Sequence, residues 1–387
     1  MAASFNASRL FNSSVEKETA FIDHITLSDI KKQQLMSART ELRGALREAA
    51  GRAVEGLVCG SQSVRPRFVT QGSVSYRTLN SPCTTPPQQA DLDDGIYFPL
   101  SYVQQNGQPS VAANTLFESV TACLKLVAEE KGWEVDESNP KCVRVIVADD
   151  MHVDMPMYSI PDAEFAQLTE AKVRKMATAG DGAVITEEQK DDDWSVVESD
   201  RVLLATRDSG WLPKDPRPIK EWVENAVKEK GEQLRRIMRY VKAWRDFQVW
   251  EFGDPKSILL MVAAEAAHES SIHGRDDLAL KSAARGMAEK LSGELRAPWD
   301  ESEDLALRLD EHPKLRQDVI DRLNQLADGI EDALDRSKNA AEVCTALRER
   351  LGSRLPNNSA AVIEATVAGI EVTKSASAGY VGRVRSA

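Results

Sequence analysis

The sequence has no apolar run long enough to cross a membrane. Its longest, Ile258 to Ala264, stops at Glu265, far short of the roughly 20 residues a spanning helix needs. The N-terminus, Met1 to Leu10, has neither a basic start nor an apolar stretch of signal-peptide length, so a cytoplasmic location is expected. The five cysteines, Cys59, Cys83, Cys123, Cys142 and Cys344, include no Cys-x-x-Cys pair. Neither a disulfide framework nor a zinc site is therefore indicated, and the pattern suits reduced thiols. A positive balance is also missing: 49 Lys plus Arg face 61 Asp plus Glu, for a formal charge of -12. A protein that grips duplex nucleic acid by neutralising many phosphates is thereby excluded, and any phosphate site must be local. No G-x-x-x-x-G-K-[ST] occurs, and Gly180 to Ile185 ends in Ile where a dinucleotide fingerprint needs Gly, so P-loop and Rossmann readings fail as well.

What is present falls into two halves. Residues 28–50 carry Ile30, Leu35, Leu42 and Leu46 among charges and predict one long amphipathic helix. Strands are predicted at Arg67–Gln71, Ala90–Leu100, Cys142–Ala148, Met151–Ile160 and Val202–Thr206, with a helix over 114–130 and a hairpin turn at Asp149-Asp150. Residues 161–199 are mostly polar and predict an irregular insertion. Helical periodicity then dominates over 219–230, 232–248, 257–269, 278–293, 314–335 and 340–351. The small, basic stretch 374–387 is expected to lack a fixed structure. The expected organisation is a catalytic lobe over 1–215, a helical lobe over 216–352 and a C-terminal segment over 353–387.

Asp91 and Asp93 stand at i and i+2 of a predicted strand, so both carboxylates share a face while Leu92 enters the core. A cation relieves such a like-charge pair, and Mg²⁺ suits when the substrate brings phosphate oxygens. Alone the pattern is weak, because acid-x-acid spacing arises often by chance and Asp-Gly is a common turn. Two features strengthen it. Gly72-Ser73 follows a strand where unsatisfied backbone N–H groups can take phosphate oxygens, although an ordinary cap is the commoner use of Ser. Asp154 is a carboxylate in an otherwise apolar strand, where it needs a partner, an ion pair being the plain one. Three carboxylates on adjacent strands can hold two metal ions roughly 3.5 to 4 Å apart, the arrangement of nucleotidyl transfer.

Gln71-Gly72-Ser73 with Tyr76 and Thr78-Leu79-Asn80, then Asp91-Leu92-Asp93-Asp94-Gly95, then His152 through Tyr158, resemble the cGAS/DncV-like nucleotidyltransferases in order and spacing. The likeness continues through Lys214-Asp215-Pro216, Val241 to Asp246 and Pro255 to Ile258, and within the family it favours the bacterial dinucleotide cyclases. The resemblance implies an α+β fold: a polymerase-β-like sheet lobe and a C-terminal all-helical lobe, with the active site in the cleft between them. It implies that Asp91, Asp93 and Asp154 are catalytic and bind two Mg²⁺ ions, Mn²⁺ being an alternative. Lys242 and Ser257 would hold donor phosphates, with Gln71, Gly72, Ser73 and Tyr76 lining the same pocket. Arg144 would reach an acceptor phosphate, and Asp215 would read the acceptor base, a carboxylate there favouring guanine; capping the helix after Pro216 is its bland alternative.

The activity implied is synthesis of a cyclic dinucleotide from ATP and GTP through a linear intermediate, in anti-phage signalling through a separate effector. A linear transferase acting on an RNA end or a drug hydroxyl, and a nucleotide-binding regulator without catalysis, are the rivals. The resemblance also suggests attachment of the C-terminal Ala387 by a ubiquitin-transfer-like enzyme. Independent of the family, Lys228, Lys230, Arg235, Arg236, Arg239, Lys242 and Arg245 face only Glu229 and Glu232, a local excess of positive charge, most of it expected to be a solvated helix face.

Overall fold

The computed structural model describes residues 4–57, 65–101, 109–178 and 194–364. Residues 179–193 of the irregular insertion expected over 161–199, the 374–387 tail and Ala387 lie outside them. An N-terminal segment (β1, Phe5–Asn6; α1, Ser8–Phe11; α2, Phe21–His24) precedes the long helix α3, Asp29–Leu57. The sheet lobe then adds β2 (Arg67–Gln71), the one-turn helix α4 (Gly72–Ser75), β3 (Ala90–Pro99), α5 (Pro109–Lys131), β4 (Glu134–Asp136), β5 (Cys142–Ala148) and β6 (Met151–Ile160). The helix α6 (Asp162–Thr178) and strands β7 (Leu203–Thr206) and β8 (Gly210–Pro213) complete it.

The sheet runs β2-β3-β6-β5-β4, with β7 and β8 continuing from the far end of β6. Among the described residues of this sheet β3 and β6 pair in parallel and the other pairs are antiparallel. Strand alternation sorts the residues onto two faces. Leu92, Ile96 and Phe98 of β3, with Val153, Met155 and Met157 of β6, join Leu35, Leu42 and Leu46 of α3 and Phe117, Val120 and Leu124 of α5 in one core. The alternate positions Asp91, Asp93, His152 and Asp154 are left for the other face. Parallel pairing sets Asp91 opposite His152 and Asp93 opposite Asp154.

Asp94 breaks the apolar pattern of the packed face and is fully buried there. Arg43 of α3 answers it with a fork: Nε donates to Oδ2 at 2.6 Å, Nη2 donates to Oδ1, and Thr70 Oγ1 adds a bond at 3.1 Å. The fork locks α3 to the strand that carries the two acids.

The second lobe is built from α7 (Arg217–Lys230), α8 (Glu232–Phe247), α9 (Ser257–Ala267), α10 (Asp276–Lys290), α11 (Leu307–Glu311), α12 (Pro313–Arg336) and α13 (Ala340–Leu351), with a short ribbon at Arg296–Ala297 and Asp300–Asp304. Its core also takes in Phe5, Leu10, Phe11, Phe21 and Ile25. These N-terminal residues are tied down by polar groups: Ala7 N donates to Asp277 Oδ2 at 2.8 Å, Asp276 N to Ser8 Oγ at 2.9 Å, and Tyr240 OH to the Phe11 carbonyl at 3.0 Å. Among the described residues no helix is long and apolar enough to cross a membrane.

One expectation is corrected. Residues 162–178 of the presumed irregular stretch form a regular helix. Its apolar contribution is small, Phe165 and Leu168 packing on Tyr97, Tyr158 and Ile160, so the period was hidden by polar neighbours.

Because Asp94 has no access to water, removing Arg43 leaves a buried charge with the Thr70 hydroxyl in place of a cation. Arg43→Ala is expected to destabilise the sheet lobe by about 3–5 kcal/mol, seen in denaturant unfolding; a loss under about 1 kcal/mol would show that the fork is not structural.

Candidate active site

β2 ends at Gln71 and the chain turns through Gly72 into α4, directly over β3. Gln71 pairs with Asp93 across the strands. Gly72 adopts φ +64°, and a Cβ there would sit 1.8 Å from Asp93 Oδ2. Only glycine lets the backbone of this turn approach the carboxylate so closely. Ser73 is half-buried on the same turn, and its carbonyl accepts the Thr78 N–H at 2.8 Å. Gln71 Nε2 donates to Tyr158 OH at 3.0 Å, which leaves Gln71 Oε1 buried and without a hydrogen bond.

On β6, Asp154 is buried and held by a bidentate fork from Arg144 on β5, at 2.7 and 2.8 Å. The hairpin between the two strands carries a register shift between Ile146 and Ala148, yet Arg144 and Asp154 remain directly paired. Burial pushes the Cys142 thiol up, helped by Asp154 beside it.

The carboxyl of Asp93 is driven well above the usual carboxylate range, first by burial, then by the charges of Asp91 and Asp154; Arg144 and Lys242 pull the other way. Burial, followed by Asp93 and Asp91, likewise raises the Tyr76 phenol. Like charges close enough to perturb one another in this way fit a divalent cation between them. A second sign agrees: Asp91 Oδ1 and His152 Nε2 are buried without hydrogen-bond partners, 3.1 Å apart. Donor atoms of Asp91, His152 and Asp154 all lie within 4.8 Å of one another. His152 is the residue that sequence reasoning passed over. Its signal was its position two before Asp154, on the same strand face.

The helical lobe closes the other side of the cleft. Lys242 on α8 is buried, and its Nζ donates to the Thr78 carbonyl at 2.8 Å. Burial and then the neighbouring Arg245 bring its ammonium down to about 8. Ser257 opens α9, and its hydroxyl accepts a bond from Arg245. Arg235 donates to the Tyr76 carbonyl, and Arg239 exchanges bonds with Asn80, its Nε donating to Oδ1 at 3.0 Å and its carbonyl accepting from Nδ2 at 2.8 Å. Much of the basic helix therefore anchors the turn that follows α4 rather than facing solvent.

Asp215 has partners of its own. Arg217 holds it through Nε at 2.9 Å to both oxygens and Nη2 at 2.6 Å, Ser199 donates at 2.6 Å, and its Oδ1 accepts the Arg217 backbone N–H at 3.0 Å. Its bonds to Arg217 are thus local ones at the start of α7, where Pro216 is the residue that precedes the helix.

Comparison with known proteins gives this arrangement its family. Residues 66–158 match the nucleotidyltransferase domain of DncV-like cyclic GMP-AMP synthases, and residues 231–364 match the C-terminal domain of cyclic GMP-AMP synthase. A cyclic GMP-AMP synthase of Escherichia coli is 33% identical over 309 residues, 76% of this chain and 68% of that protein. The enzyme of that name from Vibrio cholerae is 32% identical over 311 residues, 77% of this chain and 70% of that protein. The crystal structure of Vibrio cholerae DncV, in complex with the linear intermediate 5′ pppA(3′,5′)pG, superposes with a TM-score of 0.74 at 25% identity, covering 94% of this chain and 100% of that one. The chain belongs to the DncV-like nucleotidyltransferase family. It is a nucleotidyltransferase of the cyclic dinucleotide synthase type, with the expected sheet lobe and helical lobe.

The Gly72 turn offers a direct test. Gly72→Ala must displace Asp93 or the turn itself, and a 1 Å misplacement can cost about 100-fold. Pyrophosphate release is expected to fall by at least that factor, with a modest fall in melting temperature from the strained backbone; full activity would show that the close approach is dispensable.

Proposed function

We propose that the protein joins ATP and GTP into a cyclic dinucleotide in two metal-dependent transfers, through a linear dinucleotide triphosphate, and that the product signals phage infection to a separate effector. The observation that carries this reading is the convergence of Asp91, Asp93 and Asp154 on one sheet face, within electrostatic reach of Lys242 from the opposite lobe. The linear pppA(3′,5′)pG bound by Vibrio cholerae DncV supports the choice of nucleotides.

In this reading Asp91, Asp93 and Asp154 hold two Mg²⁺ ions, or Mn²⁺. Bound there, the ions would supply charge neutralisation of the triphosphate and acidification of the attacking ribose hydroxyl. The protein's own groups do the rest. Arg144 orients Asp154 through two parallel bonds, a geometry that also suits a phosphate, so an acceptor phosphate can draw on the same guanidinium. Lys242 faces the donor phosphates; charged below about pH 8, it offers a cation in the physiological range. Gln71, Gly72 and Ser73 approach the donor from the sheet side, with Tyr76 walling the pocket and Ser257 presenting a hydroxyl at the start of α9. Recognition of a guanine edge by Asp215 requires it to exchange the Ser199 bond for the base, with Arg217 still holding it.

Each transfer forms one ribose-oxygen-to-phosphorus bond and breaks the bond to pyrophosphate. The second joins the two ends of the linear product, which demands a cleft closed enough to rebind it.

Mass analysis of products from pairwise triphosphate mixtures tests the proposal. A nuclease-resistant, phosphatase-resistant product from ATP plus GTP is expected, with Asp91→Asn and Asp93→Asn each lowering its rate by at least about 100- to 1,000-fold. Extension of added RNA in place of a cyclic product, or no pyrophosphate from any mixture, would contradict it.

A further inference from the structure

Gln89, one residue before β3, fixes the way His152 enters the acid cluster. Its Nε2 donates to the Asp149 carbonyl at 3.2 Å while its Oε1 faces His152 Nδ1 at 2.9 Å. Turning the amide over would set two oxygens against each other at Asp149, so the carbonyl contact decides the amide's orientation. His152 Nδ1 then donates its proton to Gln89. The other nitrogen, Nε2, is the one turned toward the acid cluster.

That nitrogen faces two carboxylates. Nε2 lies 3.1 Å from Asp91 Oδ1 and 3.8 Å from Asp154 Oδ1. The residue is only 5% exposed, and neither Nε2 nor Asp91 Oδ1 has a hydrogen-bond partner. A ring nitrogen and a carboxylate oxygen face each other at contact distance in a buried site, where an unpaired polar group is costly. A cation between them, a proton on Nε2 or a metal ion in its place, removes that cost. A metal-binding imidazole nearly always donates its second N–H to an acceptor that sets its orientation; Gln89, itself held by Asp149, is such an acceptor.

We propose that His152 is a direct nitrogen ligand of the divalent cation bound with Asp91 and Asp154, and that it biases this centre toward Mn²⁺-class ions over Mg²⁺. The proposal rests on the metal-dependent reading above. Oxygen donors alone suit Mg²⁺, whereas imidazole adds affinity that grows through the first-row divalent ions and is small for Mg²⁺.

The test is electron paramagnetic resonance of Mn²⁺ titrated into the full-length protein, with and without inorganic tripolyphosphate, a nitrogen-free stand-in for the nucleotide phosphates. The wild type is expected to show nitrogen coupling from one imidazole and to bind Mn²⁺ at least about tenfold more tightly than Mg²⁺ in competition. His152→Gln should lose the coupling and about tenfold in Mn²⁺ affinity, with Mg²⁺ affinity little changed; Asp91→Asn should lose both ions. Mn²⁺ that binds in an Asp91-dependent way without nitrogen coupling would overturn the role of His152 and leave the metal centre standing. No Mn²⁺ binding under either condition would overturn the metal centre too. The wild-type spectrum decides the question even if His152→Gln does not fold.

Discussion

Repulsion among Asp91, Asp93 and Asp154 is the constraint around which the sheet lobe is arranged. Strand alternation forces the first two onto one face, and parallel pairing with β6 brings the third beside them. Nothing in a stable core favours such a gathering; burial and mutual repulsion already drive the Asp93 carboxyl upward. The surroundings hold it in place at a distance from the chemistry. Arg43 clamps the neighbouring Asp94 from the packed side, Arg144 clamps Asp154 along the sheet, and Gly72 brings a turn without a side chain over Asp93. Positive charge arrives from the other lobe through Lys242, which is itself costly to bury.

The two lobes are joined by the same segment that forms the site. Thr78 and Asn80, just after the α4 turn, bind Lys242 and Arg239 of α8, and the Tyr76 carbonyl binds Arg235. A shift of the basic helix is therefore a shift of the turn that overlies Asp93.

Much of this was legible from local pattern. Acids at i and i+2 in an apolar strand, glycine at a strand-to-helix turn and a lone carboxylate in HVDMPMY fixed the strands and their faces, because alternation is a property of neighbours in sequence. What stayed hidden depends on distant partners. The attachment of Phe5–Ile25 to the helical lobe rests on Ala7 meeting Asp277, and the place of His152 in the site rests on how Gln89 is held by Asp149. The helix at Asp162–Thr178 was obscured by its polar composition. Asp215 adds a local feature: the motif suggested base recognition, and the carboxylate is also engaged by Arg217, two residues on.

The central claim is that the acid face gathers cations that draw a triphosphate into the cleft. Anomalous scattering from crystals grown with Mn²⁺ and a non-reactive ATP analogue measures this directly. Two metal peaks roughly 3.5 to 4 Å apart, bordered by Asp91, Asp93 and Asp154, with the phosphates running toward Lys242 and Ser257, are the predicted result. A triphosphate bound elsewhere, or a cleft with no metal peak at these carboxylates, would contradict the account.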